Sequence, residues 1–386
     1  MKVMHVITRM IVGGAQENTL YNCLDLANDF GDEVKLLTGP SLGAEGELLS
    51  KVDTSAIAVE VLPSLRRAIH PIYDARAYSA LKASMRSWRP EVVHTHSAKG
   101  GLLGRAAAWA VGVPCVIHTV HGAPFHPFQN RMSRYFFIAC ERWAAKRCHH
   151  MISVADAMTD LLVEARVAKP DRFTTIYSGM DVEPFLNAHV HRANMRSKLG
   201  FHEQDIVFGK IARLFHLKGH EYVIEAAKSV VQQVPNAKFL FVGDGLLRQE
   251  LEDRIASAEL SKHFLFAGLV SPSEIPAYIS AMDVLVHTSL REGLARALPQ
   301  SLIAGKPAIS FDIDGAREVV ISGQTGCLVP ALDTHQLAVS MVELAQSPAK
   351  RDALGFEGRR RFTDRFRHQS MTRDIRSLYC RWMSTT

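Results

Sequence analysis

Short apolar runs that suit buried strands alternate with helical patterns along the whole chain of 386 residues. The alternation begins at Lys2–Thr8, continues through Val113–Val120, and restarts in the second half at Ile206–Ala212. Such alternation is typical of parallel sheets that are covered by helices on both faces. The sequence therefore predicts an α/β protein with two Rossmann-like, doubly wound parallel-sheet domains.

The periodicity is weakest over Gly179–Gln204, where Gly, Pro and mixed charges interrupt it, and we place the domain boundary there. We expect an N-terminal domain over residues 1–185, a C-terminal domain over 186–365 and a basic final helix over 366–386. No apolar run reaches the roughly 20 residues of a spanning helix, and the first apolar stretch is too short for a signal peptide. The six cysteines form no CxxC pair, which favours reduced thiols and a cytoplasmic protein.

The loop that follows the apolar residues Val284–Val286 carries an acid, Glu292, just before an Ala- and Leu-rich helical pattern that ends at Gly305. A helix start after a strand is a favourable place for an anion. A carboxylate there repels phosphate, so Glu292 suits a neutral, hydroxylated partner such as a sugar. Gln300 follows eight residues later, about two helical turns away and on roughly the same face. The alternative is a helix-capping acid with a solvent-exposed glutamine.

Two cations, Arg213 and Lys218, follow another strand and precede a helix, which is a suitable arrangement for a diphosphate. A solvated basic loop is the alternative.

Gly13 and Gly14 follow the first strand, where glycines let the backbone approach a ligand closely, although a simple tight turn explains them as well. The spacing is not GxGxxG, so a dinucleotide site is poorly supported.

Histidines stand at the ends of two strands. His94 and His96 share one face of a strand, but no third ligand is spaced to complete a metal site, so we predict none. His121 follows the next strand, on the side where open α/β sheets bind ligands, unless it is simply a packed histidine.

The segment Phe125–His150 interleaves five basic residues with aromatic ones, which include Phe128. It predicts either a helix that lies on an anionic membrane surface or an ordinary amphipathic helix with its aromatic residues in the core. The formal net charge of +6 permits an anionic substrate or an anionic surface.

Five motifs, in order, resemble those of a retaining glycosyltransferase of the two-Rossmann GT-B fold, in the large family 4. They are GGAQ at Gly13–Gln16, HTHSAKGGLLGR at His94–Arg105, ARLFHLKG at Ala212–Gly219, FVGDG at Phe241–Gly245 and REGLARALPQSLIAGKP at Arg291–Pro307. The resemblance runs over nearly the whole chain in register.

The resemblance implies roles for particular residues. Arg213 and Lys218 match the pair that holds the nucleotide diphosphate, and Glu292 matches the acid that contacts donor-sugar hydroxyls. Gln300 replaces the second acid of the family motif, which binds ribose, and an amide lacks the charge-assisted strength of that contact. The implied donor site also includes the Gly13–Gly14 loop, Gly243, Asp244, Gly245, and the backbone N–H groups of Leu294 and Ala295. His121 resembles the histidine near the reacting sugar, and His96 and Lys99 fall on the acceptor side.

The implied reaction transfers a hexosyl group with retention from a UDP- or GDP-sugar to a hydroxyl acceptor, without a metal or other cofactor. We favour a lipid-linked or cell-surface polysaccharide precursor at the inner membrane face as acceptor, and no nucleic-acid partner. The final helix is expected to cross back to the N-terminal domain, and closure of the cleft to exclude water. A nucleotide-sugar epimerase of the same fold and a non-catalytic nucleotide-sugar-binding protein remain as alternatives.

Overall fold

The computed structural model describes residues 1–41, 46–127 and 129–384, which form two compact units. The first unit holds Met1–Met180 together with the chain from Arg365 onward, and the second holds Asp181–Asp364. Each unit has its own parallel sheet with helices packed against it.

Seven parallel strands form the first sheet within the described residues. In chain order they are β1 (Lys2–Ile7), β2 (Glu33–Thr38), β3 (Ala58–Val61), β4 (Val92–His96), β5 (Cys115–Val120), β6 (His150–Ser153) and β7 (Phe173–Thr175). Their order across the sheet is β3-β2-β1-β4-β5-β6-β7. All residues of β4 and β5 are buried, as expected for central strands that are covered on both faces.

Six parallel strands form the second sheet, again within the described residues. They are β8 (Ile206–Ile211), β9 (Ala237–Val242), β10 (Phe264–Gly268), β11 (Val284–His287), β12 (Ala308–Phe311) and β13 (Gly326–Val329). Their order across the sheet is β10-β9-β8-β11-β12-β13.

Helices connect these strands. In the first unit they are α1 (Gly14–Asn28), α2 (Pro71–Trp88), α3 (Ala98–Val111), α4 (Arg131–Ala145) and α5 (Asp156–Glu164). In the second unit they are α6 (Glu183–Leu186), α7 (Arg192–Lys198), α8 (His220–Gln233), α9 (Arg248–Ser257), α10 (Ile275–Ala281), α11 (Ala297–Ile303), α12 (Thr334–Gln346) and α13 (Pro348–Phe362). None of the helices in the described ranges is both long and apolar enough to cross a membrane.

The last helix, α14 (His368–Met383), belongs to the first unit and packs on α1. Its buried face includes Met371, Ile375 and Leu378, which recur at helical spacing. At its start, the His368 ring lies 2.8 Å from a carboxylate oxygen of Asp25 in α1. Apolar burial and a polar contact therefore both fix α14 on α1.

In both sheets, the side on which successive strands are added changes at the middle. The chain runs outward from β1 to β3, returns to β4 beside β1, and then continues outward to β7; β8 and β11 are the corresponding neighbours in the second sheet. Loops that leave two such neighbours in opposite directions open a crevice at the carboxyl ends of the strands, where doubly wound sheets bind ligands. The doubly wound fold expected from the sequence is confirmed.

Candidate active site

The loops after β8 and β11 bring together residues that are far apart in the sequence. Arg213 and Lys218 follow β8, whereas Glu292 follows β11. Because β8 and β11 are hydrogen-bonded neighbours, both loops emerge at the switch point of the second sheet.

Lys218 and Glu292 form an ion pair at this switch point. The Lys218 ammonium donates to a carboxylate oxygen of Glu292, and both side chains are about one-fifth exposed. Burial raises the pKa of Glu292, but Lys218 together with the neighbouring His287 and Ser289 outweighs this effect, so the pKa lies below its usual value. The backbone N–H of Glu292 donates to Oδ2 of Asp314 at 2.6 Å, which helps to fix the loop. The site thus presents an ionised carboxylate and an ammonium side by side.

Glycine residues allow the loops of the site to approach each other closely. Gly219 has a φ of +70°, and a Cβ there would stand 1.9 Å from the carbonyl oxygen of Thr288. Gly243 has a φ of +134°, and its Cβ would stand 2.2 Å from the carbonyl oxygen of Ala212. A Cβ on Gly245 would likewise stand 2.4 Å from a backbone oxygen. These glycines serve the packing of the loops after β8, β9 and β11, a role that is independent of any ligand.

Arg213 is the exposed cation of the site. Its guanidinium lies 5.0 Å from the ring centroid of Phe215. Asp244 is also exposed, its carboxylate accepts from the backbone N–H of Gly245 at 2.8 Å, and its carbonyl oxygen accepts from the N–H of Leu214. The hydrogen bond between Leu214 and Asp244 thus holds the loop after β9 beside the backbone of Arg213.

The helix expected directly after Glu292 begins later than the sequence suggested. α11 covers only Ala297–Ile303, so Glu292 and Gln300 do not share one helix, and Leu294 and Ala295 lie in the loop before it. Pro299 explains the late start, because proline lacks an N–H and is tolerated only in the first turn of a helix. The expectation of two helical turns between Glu292 and Gln300 was wrong.

A buried layer that the sequence analysis missed lies beneath the ion pair. Nζ of Lys210, in β8, donates to Oγ1 of Thr288 at 3.0 Å, and the hydroxyl of Thr288 donates to the carbonyl oxygen of Gly219 at 2.5 Å. Burial lowers the pKa of Lys210 to about 7, and the nearby Lys218 contributes. Burial and Lys210 also lower the pKa of His220 to about 2 and that of His287 to about 3. The sequence feature that could have indicated this layer is Lys210 itself, the one charged residue in the otherwise apolar run of β8.

In the first unit, His96 and His121 belong to a network of histidines. Nδ1 of His96 lies 3.1 Å from Nε2 of His121, and Nε2 of His96 lies 3.0 Å from Nδ1 of His5 in β1. Burial lowers the pKa of His121 to about 4 and that of His5 to about 3, and it holds the pKa of His96 well below its usual value. All three rings are therefore neutral at pH 7. His121, just after β5, is their partly exposed member.

His5 lies close to His94 and His96, so the expectation that no third potential metal ligand accompanies them was wrong. Ring nitrogens of the three histidines lie within 4.8 Å of one another, because His5 in β1 pairs in register with His94 in β4. However, Nδ1 of His94 bonds to the hydroxyl of Tyr379 at 2.5 Å, and its Nε2 bonds to that of Thr119 at 2.7 Å. Both nitrogens of His94 are thus already engaged, and the absence of a metal stays a prediction.

A pocket of about 540 Å³ opens at the carboxyl ends of β1 and β4. Its walls combine apolar groups with cations: Ile69, Leu102, Leu103, Phe136 and Phe137, and Arg9, Arg67 and Lys99. Nζ of Lys99 is paired with Asp74 at 2.6 Å, whereas exposed Arg67 makes no ion pair within the described ranges. The Gly13–Gly14 loop lies at the start of α1, and Gln16, two residues later, lines the same pocket.

A buried ion pair joins the two helices beside this pocket. Nη2 of Arg105 in α3 donates to Oε2 of Glu141 in α4 at 2.9 Å, and Nε of Arg105 donates to the carbonyl oxygen of Gly101 at 2.9 Å. Arg105 is fully buried and Glu141 nearly so. Glu141 itself lines the pocket, so the pair lies directly behind its wall.

Helix α4 carries exposed apolar side chains, which disfavours the second of the two alternatives for this segment, an amphipathic helix with its aromatic residues in the core. Met132 is 86% exposed, Tyr135 71% and Phe136 56%, at positions that share one helix face. Arg131, Arg134, Arg142 and Lys146 on the same helix or at its end are exposed as well. Phe125 is buried, and Phe128 lies outside the described residues. The helix therefore presents a basic and apolar surface.

Two family models match the chain, one on each unit. The model described as Glycosyltransferase Family 4 matches residues 12–184, and the one described as Glycosyl transferases group 1 matches residues 191–361.

Named relatives and a solved structure agree with these models. The UDP-Gal:alpha-D-GlcNAc-diphosphoundecaprenol alpha-1,3-galactosyltransferase of Escherichia coli is 30% identical over 347 residues, which cover 89% of this chain and 87% of the relative. The 2-deoxystreptamine N-acetyl-D-glucosaminyltransferase of Streptomyces fradiae is 29% identical over 349 residues, 84% of this chain and 81% of the relative. The fold matches that of HepE of Anabaena in complex with UDP, with a TM-score of 0.81, 21% identity, and coverage of 99% of this chain and 100% of that one. The chain is therefore a member of the group 1, family 4 glycosyltransferases, an enzyme of GT-B fold that acts on nucleotide sugars.

Proposed function

We propose that the enzyme transfers a hexosyl group, with retention, from a UDP-sugar to a hydroxyl of a lipid-linked saccharide. The observation that carries the proposal is the ion pair of Lys218 and Glu292, with the exposed Arg213 in the same loop as Lys218. Its cations suit a diphosphate, and its ionised carboxylate suits the hydroxyls of the attached sugar. The uridine donor is supported by the Escherichia coli relative, whose name specifies UDP-Gal, and by the UDP complex of HepE.

The chemistry follows from the charges of this site. As the bond between the sugar C1 and the phosphate oxygen breaks, negative charge develops on the diphosphate, and Arg213 and Lys218 stabilise it without a metal. The acceptor oxygen forms the new bond to C1 from the same face, and its proton passes to the departing phosphate oxygen. Glu292 orients the sugar hydroxyls, the backbone N–H groups of Leu294 and Ala295 bind the diphosphate, and Gln300 accepts or donates a bond to ribose. No protein nucleophile is needed.

Thermal shift with UDP, GDP, ADP and their sugars tests the donor. A ligand that binds only the folded state raises the melting temperature, and we expect UDP to do so. Arg213→Ala should weaken UDP binding about tenfold or more, because a charge-assisted contact is lost. Arg254→Ala is the matched control, since Arg254 is an exposed arginine of α9 away from the switch point. UDP binding and transfer at wild-type level by Arg213→Ala would refute the placement of the diphosphate.

Product analysis tests retention and transfer. The anomeric configuration of the product is read by NMR from the coupling of its anomeric proton. We expect the configuration of the donor to be kept, and an inverted product would overturn the proposed mechanism. Conversion of the nucleotide sugar to an epimer in the absence of acceptor would point to the alternative activity instead.

The pocket at β1 and β4 supports an amphiphilic acceptor. Leucine and phenylalanine side chains offer an apolar wall for a lipid chain, and Arg67, which makes no ion pair within the described ranges, offers positive charge to its phosphate groups. Lys99 follows β4 and lines this pocket, so we assign it to the acceptor side, whereas His96 is the fully buried last residue of β4 and does not line the pocket. The name of the Escherichia coli relative, which specifies a diphosphoundecaprenol-linked sugar, supports the same class.

The exposed face of α4 supports attachment to an anionic membrane surface. Apolar groups can enter the interface while arginines contact phosphate headgroups, as in other interfacial helices. Sedimentation with phosphatidylglycerol vesicles tests this proposal. We expect binding at low salt, its loss at high salt, and weaker binding by Met132→Ser with Tyr135→Ser. Phe356→Ser is the control, since Phe356 is 69% exposed on another helix, α13. No vesicle binding at low salt would reject the proposal.

A further inference from the structure

Three histidine rings form a continuous hydrogen-bonded chain from the core of the first unit to its ligand side. Nδ1 of His5 lies 3.0 Å from Nε2 of His96, and Nδ1 of His96 lies 3.1 Å from Nε2 of His121. His5 and His96 are fully buried, whereas His121 is partly exposed. The neighbouring His94 and His118 stand outside the chain, because their rings bond to Tyr379 and Thr119 and to Thr95, respectively.

Only two arrangements of protons satisfy both contacts in this chain. A neutral imidazole carries one N–H donor and one acceptor nitrogen, so each contact needs a donor on one side and an acceptor on the other. Either all three rings carry the proton on Nδ1, or all three carry it on Nε2. The position of the proton on His121 is therefore tied to the position on His5.

The buried end of the chain distinguishes these two arrangements. Nε2 of His5 is buried and has no hydrogen-bond partner among the described residues. A buried N–H without an acceptor is rarer in proteins than an acceptor that lacks a donor. His5 therefore keeps a lone pair on Nε2 and its proton on Nδ1, which it donates to His96. His96 then donates from Nδ1 to Nε2 of His121.

We propose that His5 and His96 are positioning residues that hold His121 in the tautomer with its proton on Nδ1. His121 then offers an N–H donor, and not a lone pair, on the side of the ring away from the chain. The matching ligand group is an oxygen acceptor, such as a sugar hydroxyl oxygen. The assignment of a sugar oxygen as the group that His121 contacts rests on the proposed function, whereas the assignment of the tautomer does not.

The wild-type protein itself provides the first test. In protein with 15N-labelled histidine rings, NMR distinguishes protonated from unprotonated ring nitrogens, and single His→Gln variants assign the signals. We expect His5, His96 and His121 to carry the proton on Nδ1 at neutral pH. A proton on Nε2 of His121, or a mixture of the two forms, would overturn the proposal whether or not the protein transfers sugar.

Substitutions at His5 test whether the chain acts on His121. The amide nitrogen of His5→Asn occupies nearly the position of Nδ1 and can still donate, whereas His5→Leu cannot. We expect His5→Leu to give a tautomer mixture at His121 and to lower kcat/KM for the donor about three- to tenfold, the effect of one hydrogen bond. His5→Asn should restore both. Val3→Ala, another buried position of β1, should lower the melting temperature and leave the His121 tautomer unchanged. Equal effects of Leu and Asn would show that His5 only fills space.

Discussion

Lys210 is a buried ammonium that should reduce stability, and its replacement by methionine offers a quantitative test. Burial lowers its pKa from 10.5 to about 7, which corresponds to about 5 kcal/mol of disfavoured charge at roughly 1.4 kcal/mol per pKa unit. Methionine keeps most of the volume and carries no charge, while the bond from the ammonium to Thr288 is lost at about 1.5–3 kcal/mol. At pH 6 we therefore expect Lys210→Met to be more stable than the wild type by about 2–4 kcal/mol.

The pH dependence of this difference is the sharper test. The pKa of Lys210 in the folded protein lies below that in the unfolded chain. Between about pH 7 and 10.5, the unfolded chain binds a proton that the folded protein has released, so wild-type stability rises with pH relative to Lys210→Met. The advantage of the variant should shrink across this window.

Denaturant unfolding of both proteins, followed by far-UV circular dichroism from pH 6 to pH 10, measures this change. Tryptophan fluorescence is unsuitable, because the four tryptophans (Trp88, Trp109, Trp143 and Trp382) all lie in the first unit, whereas Lys210 lies in the second. Lys228→Met, at a half-exposed position of α8, is the control and should show no such dependence. A stability difference that stays constant with pH, or a Lys210→Met protein that is less stable at pH 6, would refute the reasoning.

Four further outcomes are expected. Gln300→Glu should tighten UDP binding about threefold or more in calorimetry, since a carboxylate restores a charge-assisted bond to ribose; unchanged or weaker binding would remove Gln300 from the ribose site. Gly219→Ala should lower the melting temperature by several degrees, because its Cβ would meet the carbonyl oxygen of Thr288 at a positive φ, and a wild-type value would contradict this contact. Arg105→Met should cost about 3–5 kcal/mol by leaving Glu141 buried without its partner, and Glu141→Gln in the same protein should recover part of that loss in denaturant unfolding. EDTA should leave the transfer rate unchanged, whereas a rate restored only by added divalent cations would show that Arg213 and Lys218 do not suffice.

Local sequence was sufficient for the strands, but not for the burial of particular side chains. Central parallel strands are covered on both faces, so they appear as apolar runs that a single sequence reveals. Lys218 and Glu292 meet because their loops follow β8 and β11, the neighbouring strands at which the strand order reverses and ligands bind in such sheets. In contrast, the late start of α11 follows from Pro299. The sequence-based prediction gave more weight to the Ala and Leu content of the segment than to this proline.

The remaining features depend on which strands are neighbours and on which helix face is covered. His5 reaches His96 only because β1 and β4 are adjacent, although their sequence separation is large. The exposed side chains of α4 have the same spacing as a core face, so periodicity alone could not distinguish a covered face from an open one. The depth of Lys210 likewise depends on the helices that cover β8.

The buried ion pair of Arg105 with Glu141 opposes sliding of α3 against α4. Sliding one helix along the other would leave a guanidinium or a carboxylate buried without its partner, which is strongly unfavourable. The two helices therefore give the pocket a stiff wall on the side that they form. A ligand that fits against this wall loses less free energy to ordering the protein than one that must displace it. For the acceptor that we propose in this pocket, the buried Arg105 thus influences which molecules fit without contacting them.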